Sequence, residues 1–143
     1  MEQFVVQKSI NIKAEPSKVW DALTNPEKTR KYFFHCAVFS DWKVGSPITF
    51  KGKMFFILNI EMTGRILQMV PEKLLQYNLK NGSDKSGSTS TVTDKLSYVN
   101  GETILSITDD VGNGEGAEKR YKRSEKGWTN ILTGLKKLVE SGD

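Results

Sequence analysis

Apolar residues recur at two spacings along this chain: every second residue through most of its length, and every third or fourth near its end. From Gly116 to Glu140, Trp128, Ile131, Leu132, Leu135, Leu138 and Val139 fall on one face of a helix, while Lys126, Thr129, Lys136, Lys137 and Glu140 take the other. Upstream, Gln3 to Ile12 alternates as a half-buried strand, with Phe4, Val6, Ile10 and Ile12 inward and Lys8 the exception on that side. Pro16 opens a short helix carrying Val19, Trp20 and Leu23. Asn25 and Pro26 start a second one, ending near Lys31, because Asn caps well and Pro needs no N–H at the first helical position.

The remaining segments read as strands: Cys36 to Phe39, Pro47 to Lys51, Met54 to Met69, Lys73 to Leu79, Thr89 to Val99 and Thr103 to Asp109. In the long one, Phe56, Leu58, Ile60, Met62 and Ile66 share a parity, and Gly64 on the same side marks a bulge or bend. Asn100-Gly101 is a hairpin turn. Lys80 to Ser88 has the composition of a mobile hairpin loop, and Val111 to Gly116 is a glycine-rich connection into the last helix. Strands this close in sequence pair antiparallel. The expected fold is therefore α+β and one domain over all 143 residues: a curved antiparallel sheet, two short helices after the first strand, and a long C-terminal helix on the sheet. A sheet gripping a helix leaves a gap between them.

Composition narrows the partners. A hydrophobic fraction of 37% gives a modest core, and no apolar run approaches the ~20 residues of a membrane span. The N-terminus carries no leader pattern, and a lone Cys36 excludes an internal disulfide, which suits a reducing cytoplasm. The net charge of +4 is scattered, apart from Lys119 to Arg123, which reads as a solvated helix face and not as a nucleic-acid stripe. His35 is the only histidine, nothing has zinc spacing, and no nucleophile elbow is present. The Gly112-x-Gly-x-Gly loop lacks the spacing and the strand-helix-strand setting of a dinucleotide site. No catalytic residue, metal or cofactor is expected.

One polar residue stands out by parity. Val92, Leu96 and Tyr98 face one way in their strand, and Asp94 faces with them. A carboxylate on an inner face must be hydrogen-bonded, paired or protonated. The alternative is a bulge that turns it outward, or a partner such as Lys95 or Arg65.

The run Ile10-x-Ile12-x-Ala14-x-Pro16-x-x-Val19-Trp20-x-Ala22-Leu23-Thr24-x-Pro26-Glu27 resembles the opening of the START-like (SRPBCC) superfamily, in the branch related to the activator of the heat-shock-protein ATPase (AHSA-type). Trp42-x-Val44-Gly45, Gly64-x-Ile66 with Pro71-Glu72-x-Leu74, Leu96 with Thr103-x-Leu105-x-Ile107, and Gly127-Trp128-x-x-x-Leu132-x-x-Leu135-Lys136 extend the likeness over nearly the whole chain. The resemblance implies the helix-grip architecture of the birch pollen allergen, with a cavity between sheet and helix. Its members include lipid and steroid carriers, polyketide cyclases, hormone receptors and co-chaperone domains, so fold alone does not set the activity. Asp94 stands where relatives commonly have an aromatic residue. In the family's register Gln76 and Asn78 replace inward apolar residues, whereas this chain's own alternation turns Leu75, Tyr77 and Leu79 inward.

The leading expectation is a monomeric module that holds a small, largely apolar molecule (lipid-, polyketide- or flavonoid-like) in the cavity, since ligand sites are concave, mostly apolar and carry few polar groups. Phe56, Met62, Tyr77, Leu96, Leu105, Trp128 and Leu132 would form the wall, with Asp94 and Tyr121 as polar handles. The competing reading is that these side chains fill a core. A co-chaperone-like domain docking on a heat-shock ATPase is a second expectation, although the additional domain of true activators is absent. A cyclase or hydrolase is a third, against which the lack of histidine chemistry argues.

Overall fold

Short turns oblige the later strands to pair with their sequence neighbours. The computed structural model describes residues 4–54, 58–81 and 89–142. Among these the order is β1 (Val5–Ile12), α1 (Pro16–Thr24), α2 (Pro26–Tyr32), β2 (Cys36–Ser40), β3 (Pro47–Met54), β4 (Leu58–Val70), β5 (Leu74–Asn81), β6 (Thr89–Val99), β7 (Glu102–Asp110) and α3 (Ala117–Glu140). The strands form one antiparallel sheet in the order β1-β7-β6-β5-β4-β3-β2. From β2 to β7 every pairing is between consecutive strands, and β1 closes on β7 to put the first and last strands side by side. This is the expected order of elements and the expected α+β helix-grip architecture.

Local chemistry explains the joints. Asn25 closes α1 and starts α2; its side chain accepts a hydrogen bond from the Glu27 N–H at 3.0 Å, and Pro26 follows at the first helical position. Asn100 and Gly101 both have positive φ, 52° and 81°, which matches a two-residue hairpin turn to the twist of β6 and β7. The Lys80 to Ser88 loop falls mostly outside the described residues; Lys80 and Asn81 belong to β5. The connection to α3 starts out pinned: Val111 is buried, its N–H donates to the Phe4 carbonyl, and its own carbonyl accepts from the Arg120 guanidinium.

The bulge in β4 is not at Gly64. Pairing with β5 shifts between Ile66 and Gln68, so Leu67 is the extra residue and stays exposed. Gly64 has another reason to lack a side chain: a Cβ there would lie 1.7 Å from the Asn78 carbonyl oxygen. Asn78 also accepts from the Arg65 N–H at 2.8 Å, which fixes it on the outer face. The register of β5 follows the chain's own alternation. Leu75, Tyr77 and Leu79 are buried, while Gln76 bonds Thr93 across the outer face.

The core lies between this inner face and the stripe of α3. Val6, Ile12, Leu105, Ile107, Val92, Leu96, Ile66, Ile48, Phe50 and Val38 meet Trp128, Ile131, Leu132, Leu135 and Val139. Tyr98 has inward parity but is 52% exposed, because it lies near the end of its strand, beyond the helix cover. α2 and the turn after it approach α3 closely at two glycines seven residues apart. A Cβ on Gly134 would lie 3.0 Å from Tyr32 Cβ, and one on Gly127 3.2 Å from Phe34 Cζ.

Candidate functional site

The inner face of the central strands carries more than apolar side chains. Asp94 on β6 is opposite Ile107 of β7 and Leu75 of β5, and it is 2% exposed. Asp109 on β7 is opposite Val92, one step diagonally from Asp94, and is 6% exposed. Tyr77 is the diagonal neighbour on the other side, since it pairs with Val92. α2 adds Thr29 and Tyr32, three residues apart and therefore on one helical face.

Asp94, Tyr77, Thr29 and Tyr32 border a cavity of about 20 Å³, room for about one water molecule, and Asp109 lies just outside its lining. Its lining comes from α1 and α2 (Leu23, Thr29, Tyr32), Phe33, the sheet (Ile48, Phe50, Leu75, Tyr77, Asp94, Ile107) and α3 (Trp128, Ile131, Leu135). Aromatic rings form much of the wall. Phe33 stacks on Phe50 with centroids 4.6 Å apart and meets Trp128 edge-on at 5.8 Å, and Phe50 contacts Tyr77 at 5.8 Å.

The two carboxyls have different surroundings. Asp109 Oδ2 accepts from Trp128 Nε1 at 2.8 Å and from the Ser124 hydroxyl, residues one helical turn apart on α3. Burial pushes Asp109 above the usual carboxylate range, those two hydrogen bonds pull it back, and Asp110 adds a smaller upward push. Asp94 has no such helix partner, and its Oδ1 is buried without a hydrogen bond. Burial, with the charge of Asp109 second, pushes Asp94 up to about 7. Burial also raises the hydroxyls of Tyr32 and Tyr77, and in both Asp94 is the next cause.

The residues singled out from sequence are dispersed. Tyr77, Asp94 and Trp128 meet at the cavity. Leu96, Leu105 and Leu132 are buried in the core but do not line it, and Met62 is half-buried against the core. Tyr121, half-exposed on the first turns of α3, packs on Phe4 at 6.0 Å. Phe56 lies outside the described residues. Asp94 faces inward, with neither an outward-turning bulge nor an ion pair to Lys95 or Arg65. His35 is exposed on the turn after α2 and is not part of the lining. Among the described residues no cluster of His, Cys, Asp and Glu has the makings of a metal site, and no helix is long and apolar enough to cross a membrane.

Thr29, Tyr32 and Asp109 were missed in the sequence, though each left a signal. Asp109 continues the buried parity of Thr103, Leu105 and Ile107, and Thr29 with Tyr32 marks the inner side of α2.

A seven-stranded antiparallel sheet, two short helices after the first strand and a long C-terminal helix over the inner face define a helix-grip protein. The chain belongs to the Activator of Hsp90 ATPase homolog 1-like protein family, which it matches over residues 13–140. ChR145 from Cytophaga hutchinsonii is similar at 36% identity, covering 99% of this chain and 98% of that one, with a TM-score of 0.76. Protein CV1439 from Chromobacterium violaceum shares the fold at 23% identity, covering 96% and 97%, with a TM-score of 0.80. The Aha1 dimer from Colwellia psychrerythraea does so at 20% identity, covering 97% and 98%, with a TM-score of 0.74. Among curated proteins none is a significant match.

Proposed function

We propose that this chain is a binding domain for a small, largely apolar molecule, taken up between the sheet and α3 and anchored by a hydrogen bond to Asp94. The observation that carries this reading is the buried, unpartnered Asp94 Oδ1 on the wall of a cavity otherwise lined, Thr29 apart, by aromatic and aliphatic side chains. Leaving a buried carboxyl oxygen unpaired costs stability, and a ligand donor would recover it. Pockets for drug-sized ligands hold roughly 300–1,000 Å³, so the walls must part to admit one. The turn after α2 is suited to that movement. Phe34 and His35 both adopt left-handed backbone, φ 50° and 61°, which non-glycine residues hold at some cost, and Phe33 before them is part of the lining.

Screening flavonoids, lipids and polyketides by chemical-shift perturbation tests the proposal. Shifts centred on Tyr77, Asp94 and the Trp128 indole are expected, with broadening along α2. Shifts confined to the outer face of the sheet, or none from any compound, would overturn it. Family membership and the nearly filled core favour a second reading, docking on a chaperone ATPase. It predicts a direct complex with such an ATPase and no ligand in the cavity.

A further inference from the structure

We propose that the cavity selects an organic ammonium ion, a protonated amine on a compact aromatic or apolar body. This rests on the binding reading above and names its ligand class.

The hydrogen-bond inventory of the wall points to a donor. Thr29 Oγ1 donates to the Pro26 carbonyl at 3.3 Å and accepts from the Val38 N–H at 3.0 Å, so its capacity is used locally. The Tyr32 hydroxyl gives its only proton to the Ala22 carbonyl at 2.6 Å. Trp128 Nε1 is committed to Asp109. Among the described lining residues the side-chain donors that remain are the Tyr77 hydroxyl and, while it is protonated, the Asp94 carboxyl itself. What the wall offers a ligand is therefore mainly acceptors, chief among them Asp94 Oδ1.

Charge narrows the donor further. The described lining contains no Lys, Arg or His, so nothing built into the wall neutralises Asp94. Asp109, one strand away, adds negative potential and has its own unpartnered Oδ1. A carboxylate ligand would be repelled by both. A neutral hydroxyl would satisfy one oxygen but leave the charge uncompensated. An ammonium group pairs with it, and the aromatic side chains of the lining, Phe33, Phe50, Tyr77 and Trp128, suit a cation on a flat apolar body.

Protonation gives a second signature. The titratable groups around Asp94 are Asp109 on β7, Tyr77 on β5 and Tyr32 on α2; α1 and α3 bring Leu23, Trp128, Ile131 and Leu135 to the same cavity. With Asp94 pushed up to about 7, binding a cation releases a proton from it, and affinity rises with pH through that value.

Three probes with one body separate the possibilities: phenethylamine, phenethyl alcohol and phenylacetate, titrated against the full chain by NMR and calorimetry. The amine should bind at least about tenfold more tightly than either analogue, a difference of about 1.4 kcal/mol, and more tightly at about pH 8 than at about pH 6. Asp94→Asn should abolish that preference, and a thermal melt checks that the variant is folded. Asp109→Asn should weaken it in part. Equal or tighter binding of the alcohol or the acid would overturn the amine assignment and leave the binding reading standing. No perturbation of cavity resonances by any of the three would overturn the amine assignment, while the binding reading falls only if the wider screen of flavonoids, lipids and polyketides is empty as well. An amine preference that survives Asp94→Asn would place recognition elsewhere and also overturn the proposal.

Discussion

Two carboxyls lie diagonally on adjacent strands of one sheet face, and the final helix attends to one and leaves the other. At Asp109, α3 supplies Ser124 and Trp128 from successive turns, so the carboxyl is a fastening between sheet and helix. At Asp94, the facing helices bring leucine, isoleucine and rings whose polar atoms are engaged elsewhere, and a small cavity remains. Packing alone does not require this difference, since an apolar residue at position 94 would fill the space and remove the burial cost. The contrast teaches that a buried polar group is read from its partners and not from its burial. Each keeps one buried oxygen without a partner, but Asp109 is tied to the helix through its Oδ2 and lies off the cavity, whereas Asp94 has no helix partner and borders it.

The largest way to break the comparison is to remove the helix that makes it. Ending the chain before Lys126 deletes Trp128 and most of the α3 stripe, and cooperative thermal unfolding should be lost; a retained sharp melt would show that α3 is an accessory. Next, Asp109→Ala should cost about 2–4 kcal/mol in denaturant unfolding, because two hydrogen bonds to a carboxylate go and the Trp128 N–H is left buried without a partner. Leu132→Trp tests whether the open space reaches the helix beside the cavity. Leu132 is buried outside the lining, so the added rings should overpack, costing about 1–3 kcal/mol and several degrees of melting temperature. An unchanged melt would mean that the cavity extends further than the lining residues indicate.

Asp94→Asn should have the smallest effect and the opposite sign. The folded-state pKa of Asp94 lies above its ordinary value of 3.8, so the native state holds a proton that the unfolded state has released. Wild-type stability should therefore be greatest below about pH 4 for this group, fall as pH rises toward 7, and level off above that. Asn removes that slope. It still buries an amide, so the gain at about pH 8 should be only about 1–2 kcal/mol. A variant less stable than wild type at that pH would mean that the Asp94 charge has a stabilising partner.

Most of the fold was legible because its signals are local. Period-two alternation, Asn25-Pro26, Asn100-Gly101 and the α3 stripe each arise within a few residues, and the turns then dictate neighbour pairing. The register of β5 was not: the alternation of Leu75, Tyr77 and Leu79 pointed one way and the family pattern the other, and only the burial of those three residues decides between them. The site was less legible than the fold. Inward parity found Asp94 and Tyr77, but parity does not say which buried side chains border open space. Leu96, Leu105 and Leu132 satisfy the same pattern and are simply packed. Gly64 showed that a glycine in a strand had a reason, though not that the reason was the Asn78 carbonyl across the ladder. Whether Ser124 and Trp128 reach Asp109 or Asp94 depends on how α3 is rotated over the sheet, a long-range quantity that no short stretch of sequence contains.

The central claim is that Asp94 is a buried carboxyl without a counter-charge, and its own titration tests it most directly. Following the side-chain carboxyl carbon of each aspartate by NMR across the pH range, with Asp94→Asn to assign the resonance, should place the Asp94 midpoint near 7. Phenethylamine should then move that midpoint downward, as a cation stabilises the carboxylate. A midpoint near the ordinary carboxylate value of about 4 in the free protein would contradict the account, because it would mean that water or a charged partner already satisfies the oxygen left open.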